Sequence, residues 1–391
     1  MPRLKNSKLR IAVLGYIVRG PLGGLAWHHL QYVLGLRKLG HDVVFLEDSD
    51  DYAACYNPLT NEMNTDPSYG LHFIDEAFKK LNLNNLWAYY DAHANEWFGK
   101  NKAEVFEFIA STDVLLNVSG VNPLRDWLLP IPKRVFIDTD PAFTQIRHLT
   151  DENARALAAK HNCFFTFGEN FGAVDCSIPD DGFDWKPTRQ PVVIDEWKVT
   201  KGNKNNHWTT VMQWDSYRTL EYNGQIFGMK SASFDEYTDL PQMTMEKLEL
   251  ALGSETAPKN FLETKGWKIT NPLIPTRTPW TYQKFIQISK AEWTIAKHGY
   301  ASSRSGWFSE RSACYLASGR PVLTQETGFS KFIESGRGLL SFSSKEEVLE
   351  GIEKINAGYG EHCKAAREIA VGYFDYEKVL SKLLTFMYTK I

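Results

Sequence analysis

The chain lacks several features that would narrow its role at once. It has no C-x-x-C, and its five cysteines (Cys55, Cys163, Cys176, Cys314 and Cys363) are odd in number and far apart. That spacing excludes an evident disulfide frame or cysteine-ligated zinc site and reads as the reduced thiols of a cytoplasmic protein. No long basic run is present, and the formal net charge is −3, which argues against non-specific nucleic-acid binding, since that needs a positive face; no nucleic-acid partner is expected. No uninterrupted apolar stretch is long enough to span a bilayer. The opening "MPRLKNSKLRIAVLGYIVRG" is basic and then apolar, but it lacks a small-residue cleavage site and reads as a first buried strand. Repeats at solenoid periods and low-complexity tracts are absent. The first turn also lacks G-x-G-x-x-G, which disfavours a dehydrogenase.

What is present is an alternation of apolar runs and helical periods. "RIAVLGYIV" reads as a buried strand, Leu25 to Leu39 carries apolar residues at helical spacing closed by Gly40, and "DVVFLED" is the next strand. This β-loop-α-β unit of about 40 residues belongs to a parallel, doubly wound sheet. Further strands are predicted at "DVLLNVSG", "KRVFIDTD" and "CFFTFGEN". A second α/β series follows a Pro-, Lys- and Asn-rich stretch, "WKPTRQPVVIDEWKVTKGNKNN". In that series "MEKLELALG" is expected as a helix closed by Gly253, and "YQKFIQISKAEWTIAKHG" as a helix with a short strand. The expected organisation is two α/β domains, 1–190 and 191–372, with a 373–391 helix packing back on the first.

The richest stretch for chemistry is "HGYASSRSGWFSERSACYLASGRPVLTQETGF". A Ser-, Gly- and Arg-rich loop feeds a helix starting near Ser309. Free N–H groups and the dipole at such a start make an anion site. Arg304 and Arg311 add charge, and Ser305 and Ser309 add hydroxyls, so a diphosphate fits there. Lys297 is a further candidate for a phosphate, with a solvated lysine as the alternative. Ser289 and Glu292 are expected on one face of the preceding helix. In the first half, Gly23 and Gly24 would let backbone approach a ligand closely. His28 and His29 follow at the helix start, where one could accept a proton or simply pack. "FIDTDPAFTQ" holds a D-x-D. Asp138 and Asp140 read as cleft groups rather than metal ligands, Asp138 as one that could orient a histidine, with Asp140 and Gln145 on the acceptor side.

Two stretches resemble a known family. "LASGRPVL", the Thr-x-Glu-Thr-Gly-Phe that follows it and "ESGRGLLSFSSKEEVLEGI" are similar to the C-terminal half of GT-B glycosyltransferases, of the group 1 or family 4 kind. The Gly-Gly turn and "LRKLGHDVVFL" match their N-terminal signature. The likeness is best over residues 10–48 and 285–352. It implies two Rossmann-like domains facing each other across a cleft. It also implies an EC 2.4 hexosyltransferase that uses a nucleotide-diphosphate sugar without a metal or other cofactor. The acceptor would be a small molecule or glycan, and His28 or His29 the base if transfer is inverting. One departure is plain: the family's helix glutamate falls at Cys314, and Glu310, one turn earlier, either replaces that carboxylate or stabilises the helix start. The alternatives are a non-catalytic nucleotide-sugar-binding or chaperone subunit, or a nucleotide-sugar 2-epimerase or phosphorylase on the same fold.

Overall fold

A computed structural model describes residues 8–202 and 204–388. Two sheets organise it. The first has eight strands, ordered Trp185–Pro187, Cys163–Thr166, Lys133–Asp138, Val114–Val118, Arg10–Leu14, Asp42–Asp48, Trp87–Asp91 and Glu96–Gly99. All neighbours run parallel except the last pair. The second sheet has six parallel strands, ordered Lys268–Thr270, Leu248–Gly253, Trp208–Gln213, Ala291–Thr294, Val322–Gln325 and Leu339–Phe342. Central strands such as Val114–Val118 are buried on both faces, which is why they are nearly continuous apolar runs, broken here only by Asn117, whose amide bonds the Asn122 carbonyl and His161.

Two local expectations are corrected. "MEKLELALG" contributes the strand Leu248–Gly253, not a helix. Leu248, Leu250 and Leu252 alternate at period two and are all buried, while Glu249 accepts from Thr270 and Lys268 on the neighbouring strand. The helix before the Ser/Gly/Arg loop spans only Pro279–Ile288, so Ser289 caps it and Glu292 lies on the following strand. The two residues share no helix face.

The helix Gly23–Lys38 is the structural hub. It is buried almost all round, because it packs on its own sheet, on Pro279–Ile288 and on the C-terminal helix Tyr376–Tyr388. Gly35 permits the last contact: a Cβ there would lie 2.7 Å from the Leu380 side chain. The two chain crossings between the sheets also lie side by side. Val192 donates its N–H to the Phe374 carbonyl (2.7 Å), and Tyr376 returns one to the Val192 carbonyl (3.0 Å).

Candidate active site

The C-terminal ends of both sheets face one cavity of about 1680 Å³. Strand ends at a parallel sheet's carboxyl edge are where such folds bind ligands. The volume exceeds the roughly 300–1,000 Å³ of a pocket for one small ligand, so two substrates fit.

The first wall is built by the Gly23–Lys38 helix and the loops after Val114–Val118 and Lys133–Asp138. His28 lines the cavity and is fixed at both nitrogens. Its Nδ1 lies 2.5 Å from Gln190 Oε1, and its Nε2 lies 3.3 Å from Ser119 Oγ. Gln190 Nε2 donates to the His28 and Pro191 carbonyls at 3.1 and 3.0 Å, so its oxygen must face the ring. Nδ1 therefore carries the proton and Nε2 is the open base, next to the Ser119 hydroxyl, which in turn accepts from Thr139 Oγ1 at 2.8 Å. Burial lowers the His28 pKa against the opposing charge of Glu310 and the Gln190 bond, keeping the ring neutral.

His29 does not reach the cavity. Its ring is enclosed by Tyr16, His28 and Phe45 with neither nitrogen hydrogen-bonded, and burial, His28 and Arg19 hold its pKa well down. Asp138 is likewise internal. Its oxygens accept from Thr144, the Asp140 N–H, Gln145 and Thr166 at 2.7 to 3.1 Å, which leaves none for a histidine. Burial still raises its pKa. Gln145 is spent on Asp138 and on the Ala142 N–H, as a helix cap rather than an acceptor contact. Gly23 approaches the Thr278 carbonyl, where a Cβ would collide, so its closeness serves packing between the domains. Gly24 does line the cavity.

Asp140 sits where the walls meet. Its carboxylate accepts from Lys297 Nζ (2.8 Å) and from the hydroxyls of Tyr217 and Tyr300, all three from the second domain. Burial would raise its pKa, but Lys297 and the tyrosine bonds outweigh that and hold it below the ordinary range. Asp140 and Lys297 thus form a clasp between the domains, which leaves neither as a free ligand group.

The second wall carries the charge. Ser309 caps the helix Glu310–Ala317, its Oγ accepting from the Arg311 N–H at 3.2 Å, and Ser309, Glu310 and Arg311 all line the cavity. Arg311 is partly committed: it bonds Glu292 Oε1 (2.6 Å), the Val211 carbonyl (2.7 Å) and Thr294 Oγ1 (2.8 Å). Glu310 takes no hydrogen bond or ion pair among the described residues, so its carboxylate is open to a ligand. Arg304 and Ser305 lie outside the cavity lining. Arg304 is half-exposed and bonds Asp175 at 2.9 Å, and the Ser305 hydroxyl donates to the Tyr300 carbonyl at 3.0 Å. The loop is thus tied into an interdomain joint, where Asn170 donates to the Arg304 carbonyl at 2.8 Å.

Sequence reasoning missed Lys230. Its side chain lines the cavity with no hydrogen bond or ion pair among the described residues. Desolvation, with the charge of Arg311, pulls its pKa down to about 7 against the pull of Glu310 and Glu292. The side chains of Arg218 and Lys259 also line the wall without a partner among the described residues. Nothing in "FGMKSASF" marks Lys230, whereas Tyr217 and Arg218 follow a strand's carboxyl end and were open to that rule. Among the described residues no cluster of metal-ligating side chains assembles, and no helix is long and apolar enough to cross a membrane.

No family model and no curated protein matches the chain by sequence. Solved structures do match its shape. An α-glucosyltransferase in complex with UDP-glucose and DNA containing an abasic site superposes with a TM-score of 0.60 at 10% identity, over 98% of this chain and 100% of that one. AviGT4, a glycosyltransferase involved in avilamycin A biosynthesis, gives 0.53 at 13% identity, over 97% of both chains. Sucrose-phosphate synthase from Thermosynechococcus elongatus gives 0.54 at 11% identity, over 97% of this chain and 98% of that one. The fold is therefore the GT-B fold of glycosyltransferases, two Rossmann-like domains across a cleft, as the sequence resemblance implied.

Proposed function

We propose that the protein is a glycosyltransferase that moves a sugar from a nucleotide-diphosphate sugar to an acceptor hydroxyl. The observation that carries this reading is the half-buried Lys230 ammonium, which lines a two-domain cleft beside Arg311 with no ion pair among the described residues. A partly desolvated cation beside a second cation is disfavoured unless an anion joins them, and a diphosphate does. Arg218 lines the same wall. UDP and UDP-glucose in solved relatives of the fold support the ligand class. The phosphates would lie at Lys230 and the open edge of Arg311, rather than at Arg304 as the loop composition suggested. Glu310, negative at the helix start, would accept hydrogen bonds from ribose or sugar hydroxyls instead.

Charge builds on the diphosphate as the glycosidic bond breaks, and fixed cations stabilise it without reorganising. For inverting transfer His28 Nε2, alone or through Ser119, would take the acceptor proton, and the nearby Glu310 charge would favour the imidazolium formed. The test is calorimetric titration with UDP-glucose, GDP-mannose and dTDP-glucose, followed by assay of nucleoside diphosphate release. Binding followed by release supports transfer. Binding with no release under any acceptor would favour a non-catalytic nucleotide-sugar-binding protein.

A further inference from the structure

The cavity's charges are divided between its walls, and that division bears on the second substrate. Among the described residues, every cation lining the cavity belongs to the second domain: Arg218, Lys230, Lys259, Lys297 and Arg311. The described first-domain wall contributes none. It offers neutral groups: the Tyr16 hydroxyl, His28 Nε2, the Ser119 and Thr139 hydroxyls and the Asn61 amide. Tyr16 has no hydrogen-bond partner among the described residues, and burial pushes its pKa up to about 12, so it stays a neutral phenol. Among the described residues the one charge on this wall, Asp140, is already met by Lys297.

Of the first-domain arginines, Arg147 is exposed and outside the cavity lining, although its charge reaches Tyr217, and Arg19 and Arg125 are committed. Arg19 is buried against Glu47 (3.5 Å) and donates to the Val121 carbonyl (3.1 Å). Arg125 grips both oxygens of Asp48 at 2.8 and 2.9 Å and reaches Asp51 as well. A phosphate or carboxylate brought to this wall would lose its hydration and find no uncommitted cation on it, since Lys297 is already paired with Asp140, a large cost. A hydroxyl-rich neutral molecule would lose water and regain hydrogen bonds from hydroxyls, imidazole and amide, with Tyr16 and Tyr56 supplying aromatic faces.

Building on the transfer reading above, we infer that the acceptor is a neutral polyhydroxylated compound, a sugar or glycoside, and not a phosphorylated or polyanionic one. The test uses the full chain in two stages. UDP-glucose, GDP-mannose and dTDP-glucose are first titrated by calorimetry; if none binds, the transfer reading fails and this inference fails with it. The donor that binds is then incubated with matched acceptors: methyl glucoside, cellobiose and an aryl glucoside against glucose 6-phosphate and a short DNA duplex. The expected result is nucleoside diphosphate release stimulated at least tenfold more by a neutral glycoside than by glucose 6-phosphate or the duplex. Its acceptor kcat/KM should change less than about twofold between 50 and 200 mM salt, since no ion pair is made to the acceptor. If the donor binds but only the anionic compounds stimulate release, or none does, the inference is overturned while the donor site stands. A steep fall of acceptor kcat/KM with salt would overturn it too.

Discussion

Replacing Lys230 by methionine keeps the apolar stem of the side chain and deletes its charge. The fall of its pKa from 10.5 to about 7 means that its surroundings disfavour the ammonium by roughly 5 kcal/mol in the empty site. A diphosphate at this position returns part of that through charge-assisted hydrogen bonds, each contributing about 1.5–3 kcal/mol. Lys230→Met should therefore weaken donor binding by about 10- to 150-fold. Folding should respond in the opposite direction. The native side chain costs stability in full below pH 7, where both states hold the proton, and the cost fades as pH rises from 7 to 10.5, where only the unfolded lysine holds it, so most of the cost is present at pH 7.5. The variant should unfold at the same temperature or higher, which separates a lost ligand contact from a damaged fold. Calorimetric titration of both proteins with the preferred nucleotide sugar, beside thermal unfolding at pH 7.5, reads both quantities. A folded Lys230→Met protein with unchanged donor affinity would refute the phosphate assignment.

Four other outcomes follow from the same geometry. Donor affinity of the unaltered protein should fall above pH 7, by up to about tenfold per unit, because binding then takes up a proton at Lys230; titrations from pH 6 to 9 check this, and a flat profile would contradict it. His28→Ala should lower turnover by about a hundredfold or more with donor affinity within twofold, and a loss under tenfold would remove His28 as the proton acceptor. Arg304→Ala should leave donor affinity unchanged and cost at most about 1 kcal/mol of stability, since its pair with Asp175 is half-exposed; weaker donor binding in this variant would move the phosphates back to the loop. Asp140→Asn should destabilise the protein by about 1–3 kcal/mol in chemical unfolding, because Lys297, Tyr217 and Tyr300 lose the one carboxylate that holds them to the first domain; unchanged stability would argue against the clasp.

The sheets were legible in the sequence where strands are buried on both sides, as at "RIAVL" and "DVLLNV", because a short, mostly apolar run ending in turn residues suits a strand covered on both faces. "MEKLELALG" misled because its leucines serve a strand period, while Met, Glu, Lys, Leu and Ala all favour helix; pairing with both neighbouring strands overrode that preference. The site was legible in outline only. Ser309, Glu310, Arg311, Gly24, His28, Asp140 and Lys297 do meet at one cavity. The sequence could not tell which neighbour of an adjacent pair faces it. His28 and His29 differ by about 100° around the helix, which turns one ring to the cleft and the other to the core. Arg304 and Arg311 flank one loop, yet an aspartate from the other domain claims Arg304. Lys230 was invisible because its meaning lies in its position beside Arg311 without a direct ion pair among the described residues, and that is a property of three dimensions.

The central claim is that a nucleotide-diphosphate sugar binds on the second-domain wall and is consumed there. The most direct measurement is nucleoside diphosphate release from UDP-glucose, GDP-mannose and dTDP-glucose, by the protein and by Lys230→Met, each with a neutral glycoside acceptor. Release from at least one donor by the unaltered protein is expected, with a donor KM raised at least tenfold in the variant. Release from none of the three, or equal donor KM in the two proteins, would contradict the claim.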